Sequence, residues 1–424
     1  MKNKVLLMIA DGLGDRPCEE LGWKTPLEAA CKENLDRIAS WGSSGIMDLW
    51  QCGTPVGTDL GHMILFGYGL PDYPGRGPIE AFGEGLELQP GDIALRANFA
   101  TCRDGLVADR RAGRIRQGTR ELAAALDGMQ VEDVQVLFKE ATEHRAVMVL
   151  RGPGLSSAVT DADPKKEGLP IRPARPRDGS PEAERTARIL DRVLVRCQEI
   201  LSQHPLNRKR EAAGLLPANA ILTRGAGQMP KLEKTAEKYH LKAACVAAES
   251  TVLGAARLAG FDIYTDPERM TGNLDTDIDR KVELAVKALA DHDFVVLHMK
   301  APDLMGHDGD PRGKVRAIER YDAMAGKVLE EIPKLTGFNL ILALAADHST
   351  PCERREHSGD PVPIVVAGKN IRKDQVTEYD EIHGAQGGLN RMTGHMFFQF
   401  LMDYLDDSLS ALPDKALGPL YLKV

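Results

Sequence analysis

Six side chains of metal-binding type follow short apolar runs in this chain. Asp11 ends the run 4–10, Asp303 and His307 come just after 294–299, Asp347 and His348 end the run 340–346, and His357 lies one loop further on. A short apolar run closed by polar residues reads as a buried parallel strand delivering side chains at its C-terminal end. Open α/β sheets bind their ligands at that edge. Carboxylates mixed with imidazoles suit Zn²⁺ or Mn²⁺. Each residue alone has a plainer reading, because an Asp after a strand commonly caps a helix or forms a turn. The coincidence carries the inference: strand ends of one parallel sheet gather in space.

A second stretch, 51–68, holds Gly57-Thr58-Asp59 followed by an apolar helical segment. A hydroxyl at a helix N-terminus faces exposed N–H groups and the positive end of the macrodipole, a setting for a nucleophile that attacks phosphate. The plainer reading is Thr58 as an N-cap. A third stretch, Asp109-Arg110-Arg111-Ala112-Gly113-Arg114, sets three arginines around one glycine. Arginine forks bind carboxylate and phosphate bidentately, and the small residues between Arg111 and Arg114 let the backbone approach whatever they hold.

Elements of an α/β chain must position these groups. The chain has 424 residues, room for two or three domains. Net charge is -8 and aromatics are 5%, which argues against a nucleic-acid partner held by phosphate contacts or stacking. Cys18, Cys31, Cys52, Cys102, Cys197, Cys245 and Cys352 are scattered without a C-x-x-C pair, as in a reducing cytoplasm. The apolar run at 5–10 is too short for a signal peptide and reads as the first strand, and no run is long enough to cross a membrane. The expected location is cytoplasmic, with no membrane partner. No oligomeric state follows from the sequence.

Thr25-Pro26-Leu27-Glu28 carries a capping box with Pro at the first helical position, opening a helix toward Asn34. The Gly/Pro-rich residues 73–85 read as a crossing loop. Residues 86–212 change texture to alternating strands, with one long helix over 181–204, and read as an inserted α+β domain. From 218 the α/β rhythm returns, with Gly225-Ala226-Gly227 as a turn. A strand at 362–367 carries Pro361 and Pro363, expected at an edge or a strand start. The expected organisation is therefore a core of residues 1–85 and 213–424, interrupted by an insert of 86–212.

Asp11-Gly12, Gly57-Thr58-Asp59, Asp303-x-x-x-His307-Asp308-Gly309, Asp347-His348-Ser349-Thr350-Pro351 and His357 together resemble the alkaline phosphatase superfamily. Within it the chain is similar to the archaeal-type cofactor-independent (2,3-bisphosphoglycerate-independent) phosphoglycerate mutases. Gly75-Arg76-Gly77-Pro78-Ile79-Glu80, Arg96-Ala97-Asn98-Phe99 and His144-Arg145-Ala146-Val147 match as well, so the similarity spans nearly the whole chain. The resemblance implies an alkaline-phosphatase-like doubly wound, mostly parallel sheet with an inserted substrate (cap) domain. It implies two divalent metals, Mn²⁺ or Zn²⁺ before Mg²⁺ or Co²⁺, spaced by about 4 Å as in two-metal sites, and no 2,3-bisphosphoglycerate. One metal would fall to Asp11, Thr58, Asp347 and His348, the other to Asp303, His307 and His357.

The implied reaction interconverts 3-phosphoglycerate and 2-phosphoglycerate by ping-pong transfer through phosphothreonine at Thr58. Asp161 and Asp163 are the expected acid and base on the substrate hydroxyls. Arg96, Arg111, Arg114, Arg145, Arg224 and Lys300 are the expected clamps on a small phosphorylated carboxylic acid. The sequence departs from the family pattern at Thr58, where serine is usual, at Ala162 and Lys165, where threonine and histidine are more common, and at Glu143, where glycine is usual. Two alternatives follow: a metal-dependent phosphatase or phosphotransferase for another phosphorylated or phosphonate acid, and a non-catalytic metal- or ligand-binding relative.

Overall fold

A computed structural model describes residues 2–405. The chain divides into two compact units, one formed by residues up to Tyr73 and from Glu233 onward, the other by Pro74–Leu232.

The first unit is built on a sheet of β1 (Lys2–Ala10), β2 (Gly42–Asp48), β9 (Ala243–Val246), β10 (Asp262–Tyr264), β11 (Phe294–Met299), β12 (Phe338–Ala345), β13 (Val362–Gly368) and β14 (Asn390–Thr393), the intervening β3 to β8 belonging to the second unit. Its order is β10-β9-β11-β1-β12-β13-β2-β14. Every pairing from β10 to β12 is parallel, β13 runs antiparallel to both neighbours, and β14 is parallel to β2. Residues 5–10 of β1 and all of β11 are buried, as parallel strands covered on both faces require. Register decides the rest. Ala10 pairs with Met299, and Ile9 with Ala345. Asp11, Lys300 and Asp347 therefore leave three adjacent strands at nearly one level.

The second unit carries β3 (Ile93–Arg103), β4 (Leu106–Asp109), β5 (Gln130–Val131), β6 (Val134–Glu140), β7 (Arg145–Arg151) and β8 (Ala220–Gln228). They form an antiparallel sheet of order β4-β3-β7-β6-β5, with β8 paired to β3. The helix Pro181–Gln203 buries Ala187, Leu190, Leu194, Cys197 and Leu201 at helical spacing, and these join the sheet's inner residues in one core.

Four expectations differ from this architecture. The insert begins at Pro74 and ends at Leu232, against the expected 86 and 212. Residues 76–83 form a helix, Arg76–Gly83, in place of a crossing loop, and it packs on β3: a Cβ at Gly77 would lie 2.1 Å from the Ala94 carbonyl oxygen. Gly225-Ala226-Gly227 is no turn; it lies within β8, which pairs antiparallel with β3 and so belongs to the insert. Glycine in a strand marks close backbone approach as well as turns, and sequence alone does not separate the two. The helix after Thr25 stops at Ala29, short of Asn34, and residues 42–48, which follow the helix Glu33–Trp41, form the unexpected β2, whose Gly-Ser-Ser-Gly start lacks β-formers. The Thr25–Glu28 capping box is present. β13 lies inside the sheet, and its Pro363 precedes the ladder with β12, which pairs only residues 365–368.

Candidate active site

At the C-terminal edge of β11, β1 and β12 the carboxylates of Asp11, Asp303 and Asp347 and the ring of His348 are all buried. Asp11 Oδ1 accepts from Lys300 Nζ at 2.9 Å and lies 3.4 Å from His348 Nε2; its Oδ2 lies 2.9 Å from His298 Nε2. Burial alone would raise the Asp11 carboxyl, but the Lys300 ammonium and the hydrogen bonds of His298 and His348 hold it well below the carboxylate range. Asp347 Oδ1 accepts the Gly12 N–H at 3.1 Å. Its Oδ2 is buried without a hydrogen-bond partner among the described residues, 3.3 Å from both His348 Nε2 and His62 Nδ1. The Asp347 and Asp11 carboxylates outweigh burial at His348 and push its ring up to about 9.

His307 and His357 show what the cluster is shaped to hold. His307 Nδ1 lies 2.9 Å from the Arg355 carbonyl, and His357 Nδ1 3.0 Å from the Val56 carbonyl. A carbonyl only accepts, so both Nδ1 atoms carry the proton, and in the neutral rings both Nε2 atoms carry lone pairs. Those two Nε2 atoms face each other at 3.1 Å, and each lies within 3.6 Å of Asp303 Oδ1. Two lone pairs and a carboxylate oxygen aimed at one point suit a cation. The carbonyl contacts behind the rings are the outer-shell pattern of histidine metal ligands. The triplets Asp303–His348–His357 and Asp11–Asp347–His348 each bring their ligand atoms within 4.8 Å of one another. The donor set fits a divalent cation.

Thr58 is the first residue of the helix Thr58–Leu65; Gly57 occupies the N-cap, and no side chain caps this helix. The threonine hydroxyl is thus not spent on capping. Its Oγ1 lies 3.1 Å from His348 Nε2 and accepts from Lys300 Nζ at 3.2 Å. Lys300 also meets Asp303 Oδ2 at 2.6 Å, so its three N–H bonds serve Asp11, Thr58 and Asp303.

Two histidines of this cluster were not among the expected site residues. His62 lies four residues after Thr58 and bonds the Thr58 carbonyl through Nδ1 at 2.8 Å, leaving a buried Nε2 without a partner among the described residues. His298 backs Asp11 from within β11. Signals existed for both: one helical turn from Thr58, and a histidine inside an otherwise apolar buried strand.

In the second unit, Arg96 is committed to Glu80, at 2.8 Å. It lies opposite Arg224 across the β3–β8 ladder. Arg111, Arg114, Arg145 and Arg224 make no ion pair with a described residue. Ala112, Gly113 and Arg114 all have positive φ, a strained turn of the kind that gathers at functional sites. His144 Nδ1 is buried and lacks a hydrogen-bond partner among the described residues. Burial lowers the His144 ring, and the charges of Arg145, Arg111 and Arg224 lower it further against the opposing Glu143 carboxylate. Glu143, also at positive φ, pairs with Arg116 at 3.0 Å.

Asp161 and Asp163 differ. Asp163 is buried, both its oxygens are held by Arg110 at 3.0 and 2.6 Å, and one also accepts the Lys165 N–H. Burial would raise its carboxyl, but the Arg110 bonds keep it lowered and ionised. That geometry fixes the Asp163 carboxylate between the Arg110 guanidinium and the Lys165 backbone. Asp161 is partly exposed, accepts the Gly225 N–H at 3.0 Å, and keeps its second oxygen 3.7 Å from Lys165 Nζ.

Comparison with known proteins agrees with this geometry. A family model described as 2,3-bisphosphoglycerate-independent phosphoglycerate mutase matches residues 39–207. A protein of Methanothermobacter thermautotrophicus named 2,3-bisphosphoglycerate-independent phosphoglycerate mutase 1 is 46% identical over 409 residues, covering 95% of this chain and 98% of that one. The chain belongs to this mutase family. A mutase of Thermococcus kodakarensis is 43% identical over 96% of this chain and 98% of its own length. Among solved structures, a Pyrococcus horikoshii protein matches with a TM-score of 0.81 and 37% identity, over 96% of this chain and 98% of that one. The cofactor-independent phosphoglycerate mutase of Thermoplasma acidophilum matches with a TM-score of 0.72 and 37% identity, over 96% of this chain and all of that one. The chain is thus an enzyme of the mutase family, and its candidate metal-binding groups are those described above.

Proposed function

We propose that the protein interconverts 3-phosphoglycerate and 2-phosphoglycerate through a phosphothreonine at Thr58, in the cytoplasm. Membership of the mutase family gives the reaction. The observation supporting Thr58 as its carrier is a helix-terminal hydroxyl, free of capping, held against Lys300 and His348 beside three buried carboxylates. Asp11, Thr58, Asp347 and His348 would hold one divalent cation and Asp303, His307 and His357 a second, with Mn²⁺ or Zn²⁺ best matched to mixed imidazole and carboxylate donors. When bound, these cations supply Lewis acidity that neutralises phosphate charge and lowers the pKa of the nucleophilic hydroxyl.

The protein's own groups do the rest. The Thr58 Oγ–P bond forms as the P–O bond to the glycerate oxygen breaks. The proton lost by Thr58 is balanced by one gained at the departing glycerate oxygen. Lys300, 3.2 Å from Oγ1, lowers the cost of negative charge on the attacking oxygen. In the second half-reaction the other glycerate hydroxyl gives up its proton and bonds to phosphorus as the Thr58 Oγ–P bond breaks, and Thr58 Oγ regains a proton. Asp161 is the proposed proton-transfer group on those hydroxyls, and Asp163, locked to Arg110, orders the loop that carries it. Arg111, Arg114, Arg145 and Arg224 are the proposed binders of the substrate's anionic groups, with Arg96 held in reserve by Glu80.

The test is phosphorus NMR of metal-reconstituted protein with 3-phosphoglycerate. Appearance of 2-phosphoglycerate without inorganic phosphate is the expected result. Steady release of phosphate would identify a phosphatase and overturn the mutase assignment for this chain.

A further inference from the structure

Thr350 lies between the two proposed ligand groups and has been given no role above. It is fully buried. Its backbone is fixed from both sides, the N–H donating to the Gly14 carbonyl at 3.0 Å and the carbonyl accepting from Lys314 Nζ at 3.0 Å. Only the hydroxyl remains, and it has two partners: Asp303 Oδ1 at 2.6 Å and His348 Nδ1 at 3.1 Å. A hydroxyl has one proton and two lone pairs. The carboxylate can only accept, so the Thr350 proton goes to Asp303. His348 Nδ1 must then donate to the Thr350 oxygen. That fixes the ring so that Nε2 is the atom free to bind a cation, and Nε2 is the atom facing Thr58, Asp347 and Asp11 at 3.1, 3.3 and 3.4 Å. Space for this bridge depends on Gly12, at φ +61°, where a Cβ would lie 2.6 Å from both Thr350 Oγ1 and Asp303 Oδ1.

We propose that Thr350 is the positioning residue that joins the two cation sites, one hydroxyl setting the carboxylate of Asp303 on one side and the tautomer of His348 on the other. The proposal rests on the metal-ligand assignment made above. Its consequence is that one isosteric change weakens both sites together. Outer-shell partners of metal ligands are worth roughly ten- to a hundredfold in affinity.

The experiment is Mn²⁺ titration of chelator-stripped full-length protein, with bound and free ion counted by EPR, for the wild type, Thr350→Val and Thr350→Ser. The expected result is two ions per wild-type chain, both weakened about ten- to a hundredfold in Thr350→Val and restored within a few-fold by Thr350→Ser. Wild-type affinity in Thr350→Val, weakening of one site alone, or a serine variant as weak as the valine variant would overturn the proposal. A wild type that binds no Mn²⁺ would instead overturn the ligand assignment on which it rests. A measurement that needs no variant guards against misfolding: long-range ¹H–¹⁵N spectra of the Zn²⁺-loaded wild type must show His348 protonated at Nδ1, and protonation at Nε2 would overturn the bridge.

Discussion

The carboxylate–histidine cluster of the first unit and the arginines of the second are held in opposite ways. In the cluster nearly every polar atom has a fixed neighbour: Asp303 meets Lys300, Thr350 and two histidines, and Lys300 meets three oxygens. Asp11, Lys300 and Asp347 leave adjacent parallel strands whose register admits no slip without exposing a buried face. In the second unit Arg111, Arg114, Arg145 and Arg224 stand without ion-pair partners among the described residues, on a strained turn, a strand start and a strand. Charges that must develop or be neutralised during chemistry gain most from dipoles fixed in advance. Groups that grip a mobile anion need reach and can be left partly solvated. The proposed roles make the contrast one of task, and single changes should separate the two.

The largest effect is expected at the proposed nucleophile. Thr58→Ala should cost roughly a thousandfold or more in kcat, while Thr58→Ser keeps activity; full activity in the alanine variant, measured by coupled 2-phosphoglycerate formation, breaks the assignment. Next comes the pair of aspartates, which tests whether the second unit also contains a locked element. Asp163→Asn should lower unfolding stability by about 3 kcal/mol, because Arg110 loses its buried partner. Asp161→Asn should leave the urea midpoint unchanged and lower kcat about a hundredfold. If the two effects are exchanged, Asp163 is the proton-transfer group.

A smaller effect is expected for the unpaired cations. Arg145→Gln or Arg111→Gln should raise KM about tenfold with a lesser change in kcat, as for loss of one charge-assisted hydrogen bond. A pure kcat effect would place these residues in the chemical step and erase the contrast. The smallest is a pH slope in stability. Lys281 is buried, bonds the His298 carbonyl at 2.9 Å, and burial pulls its ammonium down to about 8 from 10.5. Between those values the unfolded chain holds more protons than the folded one, so stability rises with pH across the window. Lys281→Met should flatten that rise, by at most about 3 kcal/mol, as read from urea unfolding at pH values bracketing the window. An unchanged slope would mean that Lys281 titrates normally.

The cluster was legible in the sequence because its residues follow apolar runs, and a parallel sheet has only one edge at which such runs deliver ligands. Lys300 was legible too, although only as a clamp. The sequence did not show that its ammonium would sit among Asp11, Asp303 and Thr58. His62 and His298 were missed because a histidine in an apolar segment is ordinary until a carboxylate, Asp347 for one and Asp11 for the other, is known to lie beside it. The split between Asp161 and Asp163 was unreadable, because two aspartates two residues apart look alike until Arg110 reaches one of them from fifty-three residues away. The Thr25–Glu28 capping box came through, because it depends on four consecutive residues and little else.

What the chain determined by itself was chemical type and local form: the donors, the hydroxyl at a helix start, the buried strands, and the pattern that marks the family. Those depend on near neighbours and on composition. The tertiary structure decided the rest. It set the register that levels Asp11 with Asp347, the side of the sheet on which β8 pairs, the aspartate that is locked, and the tautomers of His307, His348 and His357. Each depends on an atom supplied by a distant part of the chain, and hydrogen-bond direction has meaning only once both partners are in place.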